Sequence, residues 1–296
     1  MIGRYYVQYF LFNNKNKREL ELPMIDGIRV GKCIRQVQNL VFHASMNGRE
    51  CILRFTSPEH RAPKRICEEL KLLDAIHKDG RVRVAKPLLF PSGKYFEQCQ
   101  HNGIAYNAVL FSYIEGVSAN TASPEQAFAL GKLLATLHTV LSELKQPYEF
   151  PALSGAVGEQ LIHGDFNCSN VLVDSNSFAI IDFEDACYST YEFELANSIY
   201  LALFDARSSV KQFDDSAFIQ RFLEGYTRSR TVNLDKIRSY VDLRVWKLAA
   251  WLQEPASAPI AIASSSDSWK RELSEFVRVY DKGEFDRSLN AITKIC

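Results

Sequence analysis

Surplus charge is the first thing this sequence lacks: 35 Lys and Arg stand against 35 Asp and Glu, for a net charge of zero over 296 residues. Gripping a nucleic-acid backbone takes an excess of Lys and Arg to neutralise phosphates, so nucleic acid is not an expected partner. Paired or clustered cysteines are lacking too. The seven cysteines, at positions 33, 51, 67, 99, 168, 187 and 296, form no CxxC and no Cys/His group at zinc-finger spacing. That argues against a disulfide framework or a structural zinc site, and for reduced thiols in a cytoplasmic protein. No apolar run reaches the ~18 residues of a membrane-spanning helix, so no membrane partner is expected. What the sequence does have is the composition of a protein with a large core, 47% hydrophobic and 24% charged. Disorder and fibrous architectures do not fit it.

The chain reads as two parts. Its aromatic-rich start predicts two strands, Tyr6 to Phe12 and Arg18 to Leu22, around a polar tip, and lacks the cleavage site of a signal peptide. Further strands are predicted over Ile28 to Val37, Leu40 to Ser45 and Glu50 to Phe55, the last two joined by an Asn47-Gly48 hairpin turn. A helix over Lys64 to His77 follows, then strands around Val84–Phe90 and Ala105–Tyr113. After Glu115-Gly116 the pattern turns helical. Ser123-Pro124-Glu125-Gln126 has an N-cap, a proline at the first turn and a glutamine three residues after the cap, opening a helix to about Lys145. Helices dominate from Glu192 onward, including Arg244–Leu252, with the small-residue stretch Glu254–Ser268 predicted as a loop. The class is α+β: a β-rich N-terminal lobe, residues 1–114, and a mainly helical C-terminal lobe, residues 115–296, tethered near Ser112–Gly116. Ligands favour clefts of that kind.

The chemistry concentrates in Leu161–Phe183, LIHGDFNCSNVLVDSNSFAIIDF. Asp165 is followed five residues later by Asn170, then by an apolar strand, a turn and a second strand that ends at Asp182. Kinase-type enzymes use this spacing to bring three polar side chains into one cleft. Phosphoryl transfer needs positioning and charge neutralisation above all. Asp165 is suited to take or orient the proton of an attacking hydroxyl. Asn170 and Asp182 offer the oxygen ligands that Mg²⁺ prefers alongside nucleotide phosphates. His163 is expected to hold the loop by hydrogen bonding.

With HGDFNCSN and IIDFEDA in place, the chain resembles the aminoglycoside phosphotransferase and choline kinase-like family, small-molecule kinases with a protein-kinase-like fold. The likeness runs from about Gly31 to about Leu252 and is densest over Leu161–Asn197. It implies ATP and Mg²⁺ as cofactors and a small hydroxyl compound as acceptor. It also implies a phosphate-binding role for Arg54 at the end of the third strand, with Glu69 as its partner and Glu68 as the alternative one register away. Asn39 falls in the family's glycine-poor turn, and Ser112, Tyr113 and Ile114 fall in the hinge whose backbone pairs with adenine. Gly164 stands where eukaryotic protein kinases usually carry Arg, and Glu184 stands where they carry the Gly of DFG. Both departures imply an enzyme not gated by activation-loop phosphorylation.

Two features depart from the family. The strand pair at Tyr6–Leu22 stands where a short helix is expected, and could cap the nucleotide lobe or mediate self-association. Glu194-Leu195-Ala196 replaces Asp-Leu-Ala, and the extra methylene is expected to weaken support of the catalytic loop. The acceptor is left open by the residues. Glu184, Asp185, Glu192 and Glu194 could face a polycation, although Glu184 and Asp185 read more simply as local capping or loop residues. Phe166, Tyr188, Tyr191, Trp246 and Trp269 could line an acceptor cleft or pack in the core. The same catalytic set would serve a protein serine/threonine kinase, and the nucleotide site alone would serve a regulator without turnover.

Overall fold

Asn47 and Gly48, at φ 51° and 74°, close the first well-defined hairpin in the left-handed geometry that matches strand twist. The architecture is that of a computed structural model, which describes residues 25–36, 39–101, 104–119, 123–153, 160–175, 177–207, 213–263 and 265–294. The strand pair expected at Tyr6–Leu22 lies outside the described residues. Strands β1 (Ile28–Gln36), β2 (Asn39–Met46) and β3 (Arg49–Thr56) form an antiparallel meander. After β4 (Arg83–Val84), the strands β5 (Pro87–Leu88), β6 (Phe96–His101) and β7 (Ile104–Ser112) complete a six-stranded sheet in the order β1-β2-β3-β7-β5, with β6 on β7.

The two faces of β3 have different destinations, as alternation along a strand requires. Cys51, Leu53 and Phe55 join Phe42, Phe90 and Leu110 in one apolar cluster. Ile52 and Arg54 face the other way, toward helix α1 (Pro63–Asp79). That helix turns Ile66, Leu70, Leu73 and Ile76 into the core and carries Glu69 on its buried side.

The run expected as one strand over Val84–Phe90 is split between two sheets. β4 runs parallel to β11 (Ser177–Ile180), and β5 pairs antiparallel with β7. Lys86 marks the crossing: its backbone bonds Ser112 from both its amide and its carbonyl, and Pro87 has no N–H to continue a ladder. A second sheet holds β4, β11, β10 (Val171–Asp174) and β8 (Val117–Ser118). A third pairs β9 (Gln160–Ile162) with β12 (Cys187–Ser189).

Helices make up most of the rest: α2 (Pro124–Glu143), α3 (Tyr191–Arg207), α4 (Asp215–Thr227), α5 (Leu234–Gln253), α6 (Ile260–Ala263), α7 (Asp267–Asp281) and α8 (Asp286–Leu289). The Ser123 side chain accepts from the Gln126 amide, as its sequence predicts. The stretch Glu254–Ser268, expected as a loop, contains a 3₁₀ turn at Pro255–Ser257 and the single turn α6, pinned by the buried Ile262. Among the described residues six cysteines are free thiols, and no helix is long and apolar enough to cross a membrane.

Helices α2 and α4 approach until backbone meets backbone. A Cβ on Gly131 would lie 1.9 Å from the Phe222 carbonyl oxygen, and one on Gly225 would lie 2.1 Å from that of Phe128. Neither obstacle is a side chain that could step aside. Gly131→Ala is therefore expected to lower stability by ~2–3 kcal/mol despite alanine's better helix propensity, as read by denaturant unfolding. An unchanged or raised midpoint would show that the helices part freely.

Candidate functional site

The register of one hairpin builds the floor of the site. Val171 on β10 faces Ile180 on β11, so Asn170, just before one strand, lies beside Ile181 and Asp182, just after the other. The Ile181 amide donates to the Asn170 carbonyl at 2.9 Å. Asn170 in turn donates from Nδ2 to the Asp165 carboxylate (Oδ2, 3.0 Å) and to the Asp165 carbonyl (3.0 Å). With that nitrogen committed, the Asn170 amide oxygen is the atom suited to a cation. Asp182 has a left-handed backbone, φ 66° and ψ 63°, uncommon for a residue with a side chain. Asp165, Asn170 and Asp182 thus stand together at one end of the cleft.

His163 holds this loop as its sequence context suggests. Its Nε2 bonds the Ile181 carbonyl at 3.1 Å, and its Nδ1 accepts the Asp165 amide at 3.2 Å. Gly164, at φ 83°, passes so close to the following segment that a Cβ there would sit 2.1 Å from the Asp185 carbonyl oxygen. An arginine has no room at this position, which gives the departure from protein kinases a steric cause.

The Glu194 side chain, expected to be a poorer anchor than Asp, reaches further and holds more. Fully buried on α3, it accepts the amides of Gly164 (2.6 Å) and His163 (3.0 Å) and a bond from His138 Nε2 (2.8 Å). The added methylene lets one carboxylate span both amides of the loop. Burial alone would raise its pKa, but the His138 bond and the loop amide more than offset this and hold it below the usual carboxylate range. Burial pushes the His138 imidazole down, against the pull of Glu194, and its Nδ1 shares a hydrogen bond with the Tyr226 hydroxyl at 2.8 Å. Sequence reading missed His138 entirely; it is one polar residue on an otherwise apolar helix face.

From the sheet side, Arg54 binds Glu69 through both terminal nitrogens, each at 2.8 Å. Burial disfavours the Arg54 charge, and the bonded Glu69 carboxylate more than restores it. Glu68, the alternative partner, points elsewhere, to Lys71 and the Glu149 amide. Arg54, Glu69, Asn39, Ser112, Tyr113, Ile114, Asn170 and Asp182 all line one cavity of about 330 Å³, walled by apolar side chains that include Val41, Ile52 and Leu172. Asp165 is not one of its lining residues and connects to it through its bond with Asn170. Arg35 on β1, not singled out by the sequence, also lines the cavity and donates from Nη1 to Asp182 Oδ2 at 3.0 Å.

Glu184 and Asp185 are not local capping residues. Glu184, buried, accepts from Asn39 Nδ2 (2.6 Å), Arg61 Nε (2.7 Å) and His60 Nε2 (3.0 Å), and Asp185 accepts from Arg61 Nη2 (3.1 Å). Arg65 adds a bond to the Ala186 carbonyl at 3.0 Å. These contacts tie the sheet lobe to the turn that carries Asp182. Glu192 accepts the Asn233 amide. The four carboxylates therefore do not converge on a polycation pocket. Of the aromatics, Phe166 and Trp269 are buried, Tyr188 and Tyr191 half-buried, and Trp246 is 65% exposed. Behind the His163–Asn170 loop a cavity of about 10 Å³, lined by Leu130, Phe166, Asn167 and Phe222 among others, has room for one water at most.

Cation chemistry is testable on this donor set. Among the described residues no group of three His, Cys, Asp or Glu could hold a metal. One carboxylate and one amide oxygen beside a cavity fit Mg²⁺ shared with phosphates.

Two outcomes follow from the Glu194 anchor. Glu194→Gln puts an NH₂ against amides that need an acceptor, and should cost ~2–4 kcal/mol; Glu194→Asp should lose at least one of the three bonds, for ~1–2 kcal/mol. Chemical denaturation checks both, and an Asp variant as stable as the parent would refute the reach argument. The second concerns pH. His138 has a lowered folded pKa, so its contribution is complete above the unfolded value near ~6.5 and declines below it, by at most about 1.4 kcal/mol per pH unit. Unfolding free energies measured from pH 7.5 to 5 should show this decline, and His138→Gln should flatten it.

The geometry now bears comparison with known proteins. No curated protein matches the sequence. Among solved structures, an amicoumacin kinase in complex with AMP-PNP and Ca²⁺ superposes with a TM-score of 0.69 at 17% identity, covering 86% of this chain and 88% of that one. A microcompartment-associated aminopropanol kinase gives 0.69 at 17% identity over 96% and 98%. A Plasmodium vivax ethanolamine kinase gives 0.58 at 12% over 89% and 84%. These likenesses establish the bilobal kinase-like α+β fold. A family model for phosphotransferase enzymes matches residues 34–157 and 151–240, spanning the sheet, the tether, the His163–Asn170 loop and Asp182. With two-thirds of its length under that model, the chain belongs to the phosphotransferase enzyme family.

Proposed function

We propose that this small-molecule phosphotransferase moves the γ-phosphate of ATP to a hydroxyl of a small compound, in the cytoplasm, where free thiols persist. The lobe of residues 1–114 would hold the nucleotide and that of residues 115–296 the acceptor. The observation that carries this reading is that Asn170 and Asp182 line the same cavity as Arg54 and Glu69, with Asp165 bonded to Asn170. Asn170 and Asp182 would hold Mg²⁺, which neutralises phosphate charge when bound. The Asp165 carboxylate takes the proton as the acceptor oxygen bonds to the γ-phosphorus and the bond to the β-phosphate oxygen breaks, releasing ADP. Asn170 Nδ2 keeps Asp165 aimed.

Arg54, locked by Glu69, presents a fixed positive charge to the phosphates, and Asn39, bonded to Glu184 and Thr56, lines the cavity beside them. The purine would lie in the apolar slot between Val41, Ile52 and Leu172. The Ser112 amide already donates to the Lys86 carbonyl, so the hinge edge for adenine is the backbone of Tyr113 and Ile114. The amino-alcohol kinases among the structural neighbours support a small hydroxyl-bearing acceptor.

The test is ADP release from Mg²⁺ and ATP across a panel of alcohols, amino alcohols and sugars. Asp165→Asn should lower turnover by about 10²–10⁴-fold while ATP still raises the melting temperature. Asp182→Ala should abolish the Mg²⁺-dependent part of that thermal shift. ATP binding without Mg²⁺ dependence, and without ADP release from any acceptor, would refute the reading.

A further inference from the structure

The residues that follow Asp182 are gripped from the sheet side by one arginine. Arg61, two residues before the first residue of α1, spends its guanidinium on Glu184 and Asp185. Its Nε donates to Glu184 Oε1 at 2.7 Å, its Nη1 to the Glu184 carbonyl, and its Nη2 to Asp185 Oδ1 at 3.1 Å. A planar fork bonded in this way fixes orientation as well as distance, which a point charge does not. The residues so held belong to the 3₁₀ turn Phe183–Asp185, which Asp182 opens. Asp182 makes no side-chain cap to that turn, and its left-handed backbone persists only where the surroundings impose it. The turn also abuts the His163–Asn170 loop, since the Asp185 carbonyl oxygen is the atom that leaves no room for a Cβ on Gly164.

Asp182 therefore stands between two fixed points. Upstream, the Ile181 amide bonds the Asn170 carbonyl; downstream, Arg61 holds Glu184 and Asp185. Arg61 also leads into α1, whose Glu69 grips Arg54. We propose that Arg61 is a positioning residue for the cation site: by fixing the turn after Asp182, it sets that carboxylate where a divalent cation can bind it together with nucleotide phosphates. The inference rests on the ATP-and-cation reading above and adds a residue, not itself a lining residue of the cavity, on which cation affinity depends. Arg65, four residues on, supplies the contrast. It bonds the Ala186 carbonyl at 3.0 Å, and its guanidinium lies 4.5 Å from the centre of the Phe150 ring. It crosses the same lobe junction to a carbonyl further from Asp182, and so measures lobe docking alone.

The experiment is calorimetric titration of the full chain with ATP in Mn²⁺, with ATP in EDTA and with adenosine. It is repeated for Arg61→Ala, Arg61→Lys and Arg65→Ala, with circular dichroism and melting temperature recorded for each. The quantity read is the gain in ATP affinity that Mn²⁺ brings. Arg61→Ala should cut that gain about 10-fold while adenosine binds as it does to the parent. Arg61→Lys keeps the charge but not the fork and should cut the gain about 3-fold, and it carries the test if the alanine variant does not fold. Arg65→Ala should lower the melting temperature and leave the gain intact. A merely structural role for Arg61 would weaken all three titrations together, and that result overturns the proposal. So does an unchanged gain in the Arg61 variants, or an Arg65 variant that loses as much of it as they do. If the parent binds neither ATP nor adenosine, or binds ATP equally with and without Mn²⁺, the nucleotide-and-cation reading itself fails. If the parent binds as that reading expects and the Arg61 variants match it, only the positioning role fails.

Discussion

Two consecutive backbone amides, those of His163 and Gly164, must be turned inward if Asp165 is to face the cleft, and buried amides need an acceptor. Glu194 supplies it from the first turns of α3, and His138 on α2 holds Glu194 in turn. The conformation of the His163–Asn170 loop is thereby referred to two helices in the core rather than to its own sequence. Tyr226 on α4 extends the chain of bonds by one more helix. Helix packing and site geometry are in this sense a single problem, solved around one carboxylate.

A second constraint joins the lobes. Glu184 sits two residues past Asp182 and gathers Asn39, His60 and Arg61 from the sheet side. Thr56 donates to Asn39 from the neighbouring strand, so the edge of the sheet and the turn bearing Asp182 share one hydrogen-bonded cluster. Burying the Glu184 carboxylate is costly unless it has several partners, and here it has three. The left-handed backbone at Asp182 is tolerable in that setting, since both sides of the residue are tied down.

Much of this was legible from residue spacing. Alternation along β3 separates Arg54 from Leu53 and Phe55, and the motif spacing around Val171–Ile180 brings Asn170 to Asp182. Local rules read such features because strand period and hairpin register are local. They fail where a partner lies far along the chain. His138 drew no notice because its partner Glu194 is 56 residues away. Glu184 and Asp185 looked like capping residues because Arg61 is 123 residues before Glu184. Glu194 looked too long because the distance it spans, from α3 to two loop amides, exists only in three dimensions. Arg35 was passed over since nothing in a strand sequence says which carboxylate its end will meet.

The close approach of α2 and α4 at Gly131 and Gly225 sets a limit on how such a molecule can diversify. Each glycine is opposed by main chain, so no second substitution on the partner helix can make room for a larger residue. The spacing of α2 and α4 behaves as a fixed gauge. Leu130 and Phe222, immediate neighbours of that contact, form the wall behind Phe166 and Asn167. Variation in what this wall accommodates has to come from the identity of side chains upon it, drawn one at a time from sizes the gauge permits, and not from sliding one helix against the other.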